Sequence, residues 1–209
     1  MREVRIYRRS GIGLITIVLL LANIVVFVKE FKTGNMLNNY LIAQGGLSYD
    51  LVVNQSESYR LITSMFLHAN FYHILCNMYS LCSIGSIMDT VMSYTEYVLT
   101  YFVSGVCGGL MVLYADSTSG HITQMTVGAS GAIFGLFGAY LALSLTRRVR
   151  INSIVRLFIC IVLMLAVGLT QPGVSVSAHL GGLIGGFVFC LFFSLFKNSV
   201  RKSKMRRRY

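Results

Sequence analysis

Six long stretches of this chain carry almost no charge, and they constrain its fold more than any other feature. They cover residues 11–28, 70–88, 97–115, 124–145, 151–169 and 174–196. Most are near the roughly 20 residues that a helix needs to cross the hydrocarbon core of a bilayer. Hydrophobic residues make up 55% of the chain and charged residues only 12%, a balance unlike that of soluble domains. The sequence therefore predicts an all-α integral membrane protein, a bundle of six transmembrane helices.

The basic residues predict how this bundle is oriented, because lysine and arginine are retained on the cytoplasmic side of a membrane. If the N-terminus lies inside, all but three of the 18 basic residues fall in cytoplasmic segments. We therefore expect both termini to be cytoplasmic. The predicted parts are a basic N-terminus over residues 1–10, a membrane domain over 11–196 with an extracytoplasmic loop over 29–69, and a basic tail over 197–209.

The net charge of +11 could indicate a nucleic-acid-binding protein or a membrane protein. The charge is concentrated at the edges of the apolar stretches and in the tail, so membrane topology and contact with anionic lipids explain it better. We expect membrane lipids, and no nucleic acid, as partners. The first stretch begins like a signal peptide, but no small-residue cleavage site follows, and it is kept as a spanning helix. A bacterial plasma membrane is the expected location, because no organelle-targeting extension is recognisable.

The connection over residues 29–69 is too long for a simple turn and rich in bulky apolar residues. Connections of this length tend to be functional or to carry structure of their own. We expect a partly embedded loop or short amphipathic helices at the membrane interface. A mobile, fully exposed loop fits the composition less well.

The five cysteines all lie in apolar stretches, without a Cys-x-x-Cys pair, and are expected to be free thiols that pack in the interior. Potential metal ligands cluster only around His68, His73 and Cys76. Their spacing does not match known zinc sites. We therefore expect neither a metal nor another cofactor.

Residues 126–138 form an apolar, glycine-rich stretch that contains one serine, Ser130. We expect this stretch to be helical from Thr126 onward. Gly131 and Gly135 lie four residues apart on one face, which lets a second helix approach closely. The sixth stretch carries a matching row of small residues, Ala178, Gly182 and Gly186. Both helices start from the outer side, so Ser130 and His179 are expected at similar depth.

A buried serine and a buried histidine at the same depth can form a catalytic pair, because histidine can take the serine proton near neutral pH. No carboxylate lies nearby in sequence to orient His179, so a Ser-His dyad is expected rather than a triad. His73 and Asn77, four residues apart on one helix face, and the Ser130 backbone N–H are candidate donors to an oxyanion. Alternatively, His73 and Asn77 are interhelical hydrogen-bonding residues with no catalytic role.

Several motifs follow one another in a characteristic order between residues 59 and 186. They are Tyr59-Arg60, then His68, His73 and Asn77, then Gly128-Ala-Ser130-Gly131, and finally Ala178-His179-Leu-Gly181-Gly182 with Gly186. This ordered set resembles the rhomboid intramembrane serine proteases. The resemblance implies that Ser130 is the nucleophile and His179 the base. It also implies an oxyanion hole that includes His73 and Asn77, with Gly128 supporting the site and His68 as a structural or water-handling residue.

Two positions depart from the family pattern. Tyr59 stands where relatives commonly have tryptophan, and Phe134 stands where many carry an aromatic ring that stacks on the catalytic histidine. Neither change removes a reacting group. The resemblance implies cleavage of single-span membrane proteins near helix-breaking small residues. The first alternative is a rhomboid-fold pseudoprotease that binds membrane clients, although both reacting residues are present. A second alternative, a solute transporter, would need ionisable residues deeper in the bundle than this sequence has.

Overall fold

The structure is a computed structural model that describes residues 11–32, 40–147, 154–170 and 174–206. Within these ranges the chain is helical, and extended pairing is confined to one isolated antiparallel bridge between Leu47 and Thr126. The expected all-α class is confirmed. The predicted N-terminal segment over residues 1–10 and the last three residues of the predicted tail lie outside the described residues.

Six helices of at least 17 residues correspond to the six apolar stretches. The short helices between them are given below, and all helices are numbered together along the chain. The long ones are α1 Leu14–Lys32, α4 Phe71–Val91, α5 Tyr94–Ser119, α6 Ser130–Arg147, α7 Ile154–Thr170 and α8 Val176–Arg206. Among the described residues, α1, α4, α5 and the part of α8 up to Lys197 are long and apolar enough to cross a membrane. The count of six spans and the cytoplasmic termini stay predictions.

The centre of the bundle is formed by α5, α6 and α8, whose backbones touch at glycines. A Cβ atom added at Gly182 of α8 would lie 2.7 Å from the carbonyl carbon of Gly131 on α6. One added at Gly186 would lie 2.6 Å from the Cα atom of Gly135. A Cβ at Gly108 of α5 would lie 2.8 Å from the backbone oxygen of Ala178. The predicted close packing of two small-residue rows is therefore confirmed, and α5 joins it from a third side.

Short helices occupy the connection between α1 and α4, as one of the sequence-based alternatives proposed. They are α2 Tyr40–Gly45, a π-helical turn Asp50–Asn54, α3 Arg60–Thr63 and a 3₁₀ turn Ser64–Phe66. The predicted start of this connection at residue 29 was wrong, because α1 continues to Lys32. The polar residues at that end had indicated a loop, yet Glu30 is only 1% exposed and belongs to the helix.

Arg60 ties the short helices together from inside. Its guanidinium is 4% exposed; Nη1 donates to the backbone oxygens of Ala43 at 3.0 Å and Gly46 at 2.8 Å, and Nε donates to Glu57 at 2.5 Å. The hydrogen bond from Arg60 holds the pKa of the Glu57 carboxyl below its usual value. A buried guanidinium is stable only with such partners, so Arg60 fixes the shape of the connection.

The segment before α6 differs from the sequence-based prediction. The helix begins at Ser130, not at Thr126, because Thr126 pairs with Leu47 through two backbone hydrogen bonds of 2.7 and 2.9 Å. Gly128 has a φ of +124°, a backbone conformation open to glycine and strained for other residues. Its N–H donates to the Ser64 backbone oxygen at 2.9 Å. An extended, loop-bound segment therefore leads directly into Ser130.

The first helix is fastened to α4 near both ends. At one end, the Asp89 carboxylate of α4 accepts the Thr16 hydroxyl at 2.5 Å and the Gly13 backbone N–H at 3.0 Å. At the other end, the Glu30 carboxylate accepts the His68 backbone N–H just before α4 begins. Much of the remaining α1 surface is apolar and exposed, as expected for a lipid-facing helix.

Candidate active site

Ser130 is the first residue of α6 and is 5% exposed. The backbone N–H groups of a first helical turn have no partner within their own helix, and the helix dipole places partial positive charge there. The end of α6 that carries Ser130 can therefore stabilise negative charge. The sequence predicted Ser130 near the outer end of a helix that opens at Thr126, and the structure instead makes it the first helical residue.

His179 lies in the first turn of α8 and is 2% exposed. Its ring stacks on Phe134, with centroids 4.3 Å apart and an interplanar angle of 13°. Phe134 is four residues after Ser130, so both side chains lie on one face of α6, one turn apart. A Cβ added at Gly131 would also lie 3.3 Å from the Ala178 backbone oxygen. The residues next to Ser130 and His179 are thus in contact, and the two side chains belong to one site.

Neither ring nitrogen of His179 has a hydrogen-bond partner within the part of the chain that the structure describes. Buried polar atoms in proteins are nearly always paired, so each unpaired one needs an explanation. A general base is one such explanation, because one ring nitrogen must be available to accept a proton. No carboxylate among the described residues hydrogen-bonds His179, and the dyad stays a prediction.

His73 presents an N–H group toward the same space. The backbone N–H of Ala69 donates to its Nδ1 at 3.4 Å. Since a neutral imidazole has one acceptor and one N–H, the ring hydrogen lies on Nε2. A Cβ added at Gly128 would lie 2.7 Å from His73 Nε2 and 3.7 Å from Ser130 Oγ. The space that the glycine leaves open is therefore bordered by a donor and by the serine oxygen.

Asn77 lies one turn after His73 on the same face of α4 and is 2% exposed. Its Nδ2 donates to the backbone oxygen of His73 at 2.9 Å, which fixes the amide. An amide nitrogen carries two hydrogens, so one remains for another acceptor. This arrangement permits donation to an oxyanion. The hydrogen bond to His73 lies within α4 rather than between helices, so the interhelical alternative stays a prediction.

His68 packs against His73. Its ring is 1% exposed and meets the His73 ring edge-on at a centroid distance of 5.1 Å. Burial lowers the pKa of His68 well below its ordinary value, and the neighbouring His73 lowers it further. Burial therefore favours the neutral form of His68, whose ring packs against His73.

Two residues close to the site carry roles that sequence reasoning did not predict. The sequence analysis named Arg60 only as part of the Tyr59-Arg60 motif. In the structure its side chain is buried under the connecting helices, where it donates to backbone oxygens. Glu30 falls in the connection that was expected to be a partly embedded loop, and it is instead a buried residue of α1 beside His68. Lys29 and Phe31 flank Glu30, and Tyr59 and Leu61 flank Arg60, so the neighbouring residues alone did not indicate burial.

The cysteines and the other possible metal ligands form no further site within the described ranges. All five cysteines are free thiols, as predicted. No group of three His, Cys, Asp or Glu side chains among the described residues could hold a metal ion. A cavity of about 20 Å³ lies beside the site, lined by residues that include Ser64, Gly128, Gly131 and Ala178. It has room for about one water molecule.

The fold and the site together define a multi-pass helical membrane protein with a serine and a histidine buried on adjoining helices. A family model described as Rhomboid domain matches residues 55–196. The chain therefore belongs to the rhomboid family.

Known relatives agree with this assignment. RHOMBOID-like protein 1 of Arabidopsis thaliana is 37% identical over 71% of this chain and 38% of its own length. In Bacillus subtilis, the rhomboid protein YdcA is 35% identical over 67% of this chain and 69% of its own length. Rhomboid protease GluP is 30% identical over 77% of this chain and 31% of its own length. The chain thus spans well under two thirds of the plant protein and of GluP, and at family level these matches support a rhomboid-type intramembrane protease.

Proposed function

We propose that this protein is an intramembrane serine endopeptidase in which Ser130 is the nucleophile and His179 the general base. The observation that carries the proposal is the stacking of His179 on Phe134, one helical turn from Ser130, where α6 and α8 touch. The ring nitrogens of His179 make no hydrogen bond among the described residues, Ser130 Oγ included, so the bond between the serine and the base is proposed to form when substrate binds.

The proposed reaction begins when Ser130 Oγ attacks the carbonyl carbon of the scissile peptide bond, and His179 accepts the hydroxyl proton. The negative charge passes to the carbonyl oxygen, which the His73 Nε2–H, the Asn77 amide and the Ser130 backbone N–H stabilise. When the tetrahedral intermediate collapses, the C–N bond breaks and His179 donates its proton to the leaving amine. Water, activated by His179, then hydrolyses the acyl-enzyme and regenerates Ser130.

The supporting residues have distinct proposed tasks. Gly128 keeps the space beside Ser130 open, since a side chain there would contact His73. Phe134 holds the His179 ring by stacking. His68 supports His73 from behind. Substrates are membrane-spanning or membrane-anchored proteins, which can reach a site buried among apolar helices, and a bacterial plasma membrane is the proposed location.

A serine-directed fluorophosphonate probe tests the proposal on the purified protein in proteoliposomes. We expect the wild type to become labelled, and Ser130→Ala and His179→Ala to remain unlabelled while they insert and fold. Ser144→Ala is a matched control, because Ser144 also lies on α6 but its hydroxyl bonds the Leu141 backbone oxygen near the other end. The same four proteins are then assayed for cleavage of a reporter with one spanning segment.

Labelling that persists in Ser130→Ala would refute the assignment of the nucleophile. If the folded wild type neither becomes labelled nor cleaves the reporter, the protein is a rhomboid-fold pseudoprotease that binds membrane clients.

A further inference from the structure

Glu30 is a buried carboxylate near the candidate site that the proposed mechanism does not use. It lies in the last turn of α1 and is 1% exposed. Both carboxylate oxygens lie 3.3 Å from the backbone nitrogen of His68. A carboxylate taken out of water is costly unless hydrogen bonds or charges compensate. Its position therefore calls for a role that an apolar residue could not fill.

The backbone that Glu30 binds is the same bend that orients His73. Two residues after His68, the Asn70 side chain caps α4 by accepting the His73 backbone N–H at 2.9 Å. Between them, the Ala69 backbone N–H donates to His73 Nδ1 and so places the ring hydrogen on Nε2. The tautomer and the direction of His73 thus depend on the backbone of residues 68–70.

Side chains from α1 reinforce this arrangement. The His68 ring meets Phe27 of α1 edge-on at a centroid distance of 6.5 Å and His73 on its other side at 5.1 Å. A continuous line of contacts therefore runs from α1 through His68 to His73, whose Nε2 borders the space beside Ser130. His68 and His73 in this line are each only 1% exposed.

We propose that Glu30 is a positioning residue for the reaction. By accepting the His68 backbone N–H, it holds the bend before α4 so that the His73 Nε2–H points at the developing oxyanion. In this proposal Glu30 affects the reaction through His68 and His73. This inference rests on the proposed function, because it assigns a task within that mechanism.

The two attachments of α1 to α4 supply a matched comparison. Glu30→Met removes both acceptor oxygens at the site end and keeps the side-chain volume. Glu30→Gln retains one acceptor oxygen for the His68 N–H. Thr16→Val removes the hydrogen bond to Asp89 at the opposite end of α4. Thr16→Val and Glu30→Met both weaken the attachment of α1, but only Glu30→Met affects the bend.

The kinetic test measures kcat and KM for a spanning reporter in proteoliposomes. We expect Glu30→Met to lower kcat on the order of 10-fold at unchanged KM, a partial loss compared with removing an oxyanion donor outright. Glu30→Gln should recover most of kcat. Thr16→Val should keep the wild-type kcat even where thermal stability falls. Wild-type kcat in Glu30→Met, or an equal loss in Thr16→Val, would overturn the proposal.

Backbone hydrogen exchange provides a second test that does not depend on activity. Glu30→Met should raise exchange in peptides that cover residues 67–73, and Glu30→Gln should restore protection. Unchanged exchange there, or faster exchange without a fall in kcat, overturns the role of Glu30 and leaves the protease assignment intact. Full cleavage by Ser130→Ala would instead refute the proposed function itself.

Discussion

Substitution of Gly182 by alanine tests whether the contact between α6 and α8 sets the geometry of the site. The added Cβ would lie 2.7 Å from the carbonyl carbon of Gly131 and 3.1 Å from its Cα, and it would overlap the Gly131 carbonyl oxygen. These are backbone atoms one residue from Ser130, so no side-chain rotation can relieve the clash. The helices themselves must separate.

The size of that separation follows from the distances. Carbon atoms rest about 3.5–4.0 Å apart, so a contact of 2.7 Å requires the backbones to part by on the order of 1 Å. Overpacking of this kind costs about 1–3 kcal/mol, against a gain of about 1 kcal/mol from replacing glycine by alanine in a helix. A displacement of about 1 Å between reacting groups can cost about 100-fold in rate. We therefore expect a moderate loss of stability and a much larger loss of turnover.

The assay compares Gly182→Ala with Gly109→Ala, another change of a helical glycine. At Gly109 the new Cβ would meet only the ends of leucine side chains, 2.8 Å from Leu61 and 3.4 Å from Leu47, and these can rotate away. Reporter cleavage and fluorophosphonate labelling should fall about 100-fold in Gly182→Ala and stay near wild type in Gly109→Ala. Circular dichroism measures the thermal unfolding of both variants. Wild-type turnover and an unchanged unfolding temperature in Gly182→Ala would refute the reasoning.

Two further predictions concern the support of the site. Asn77→Ala should lower kcat about 100-fold at unchanged KM, the usual effect of losing an oxyanion donor. If Asn77→Ala instead folds poorly while its correctly folded fraction keeps the wild-type kcat, Asn77 has a structural hydrogen-bonding role alone. Arg60→Ala should lower the unfolding temperature and speed hydrogen exchange over residues 43–47, because hydrogen bonds to a charged group contribute about 1.5–3 kcal/mol each. Equal protection in Arg60→Ala and wild type would contradict its place as the anchor of the connection.

The long helices and their glycine rows were predictable because they depend on local composition and spacing. The start of α6 was not. Thr126 and Val127 are uncharged and continue the apolar run, so the local composition does not indicate that the helix begins after them. Pairing with Leu47, 79 residues earlier, decides their conformation, and the positive φ of Gly128 completes the break. Long-range backbone pairing overrode the local pattern.

Charge was a less reliable guide than apolar spacing. Glu30 and Arg60 both fall in the connection that was expected at the membrane interface, and the sequence analysis predicted burial for neither, yet both are buried. Each is stabilised by backbone groups from distant residues, His68 for Glu30 and Gly46 for Arg60. Such partners cannot be identified from spacing along one sequence. The placement of His73, Asn77 and His179 was closer to expectation, because polar residues in apolar helices usually face the interior.

The bridge between Leu47 and Thr126 ties the connection between α1 and α4 to the segment that leads into Ser130. Backbone hydrogen bonds link Leu47 to Thr126, Asp50 to Ile122 and Ser64 to Gly128. The strand-like segment before Ser130 is therefore held by the connection rather than by its own helix. Because of these bonds, we expect any displacement of the connection to pull on the backbone two residues before Ser130. A molecule that pushes the connection aside should therefore also shift the serine.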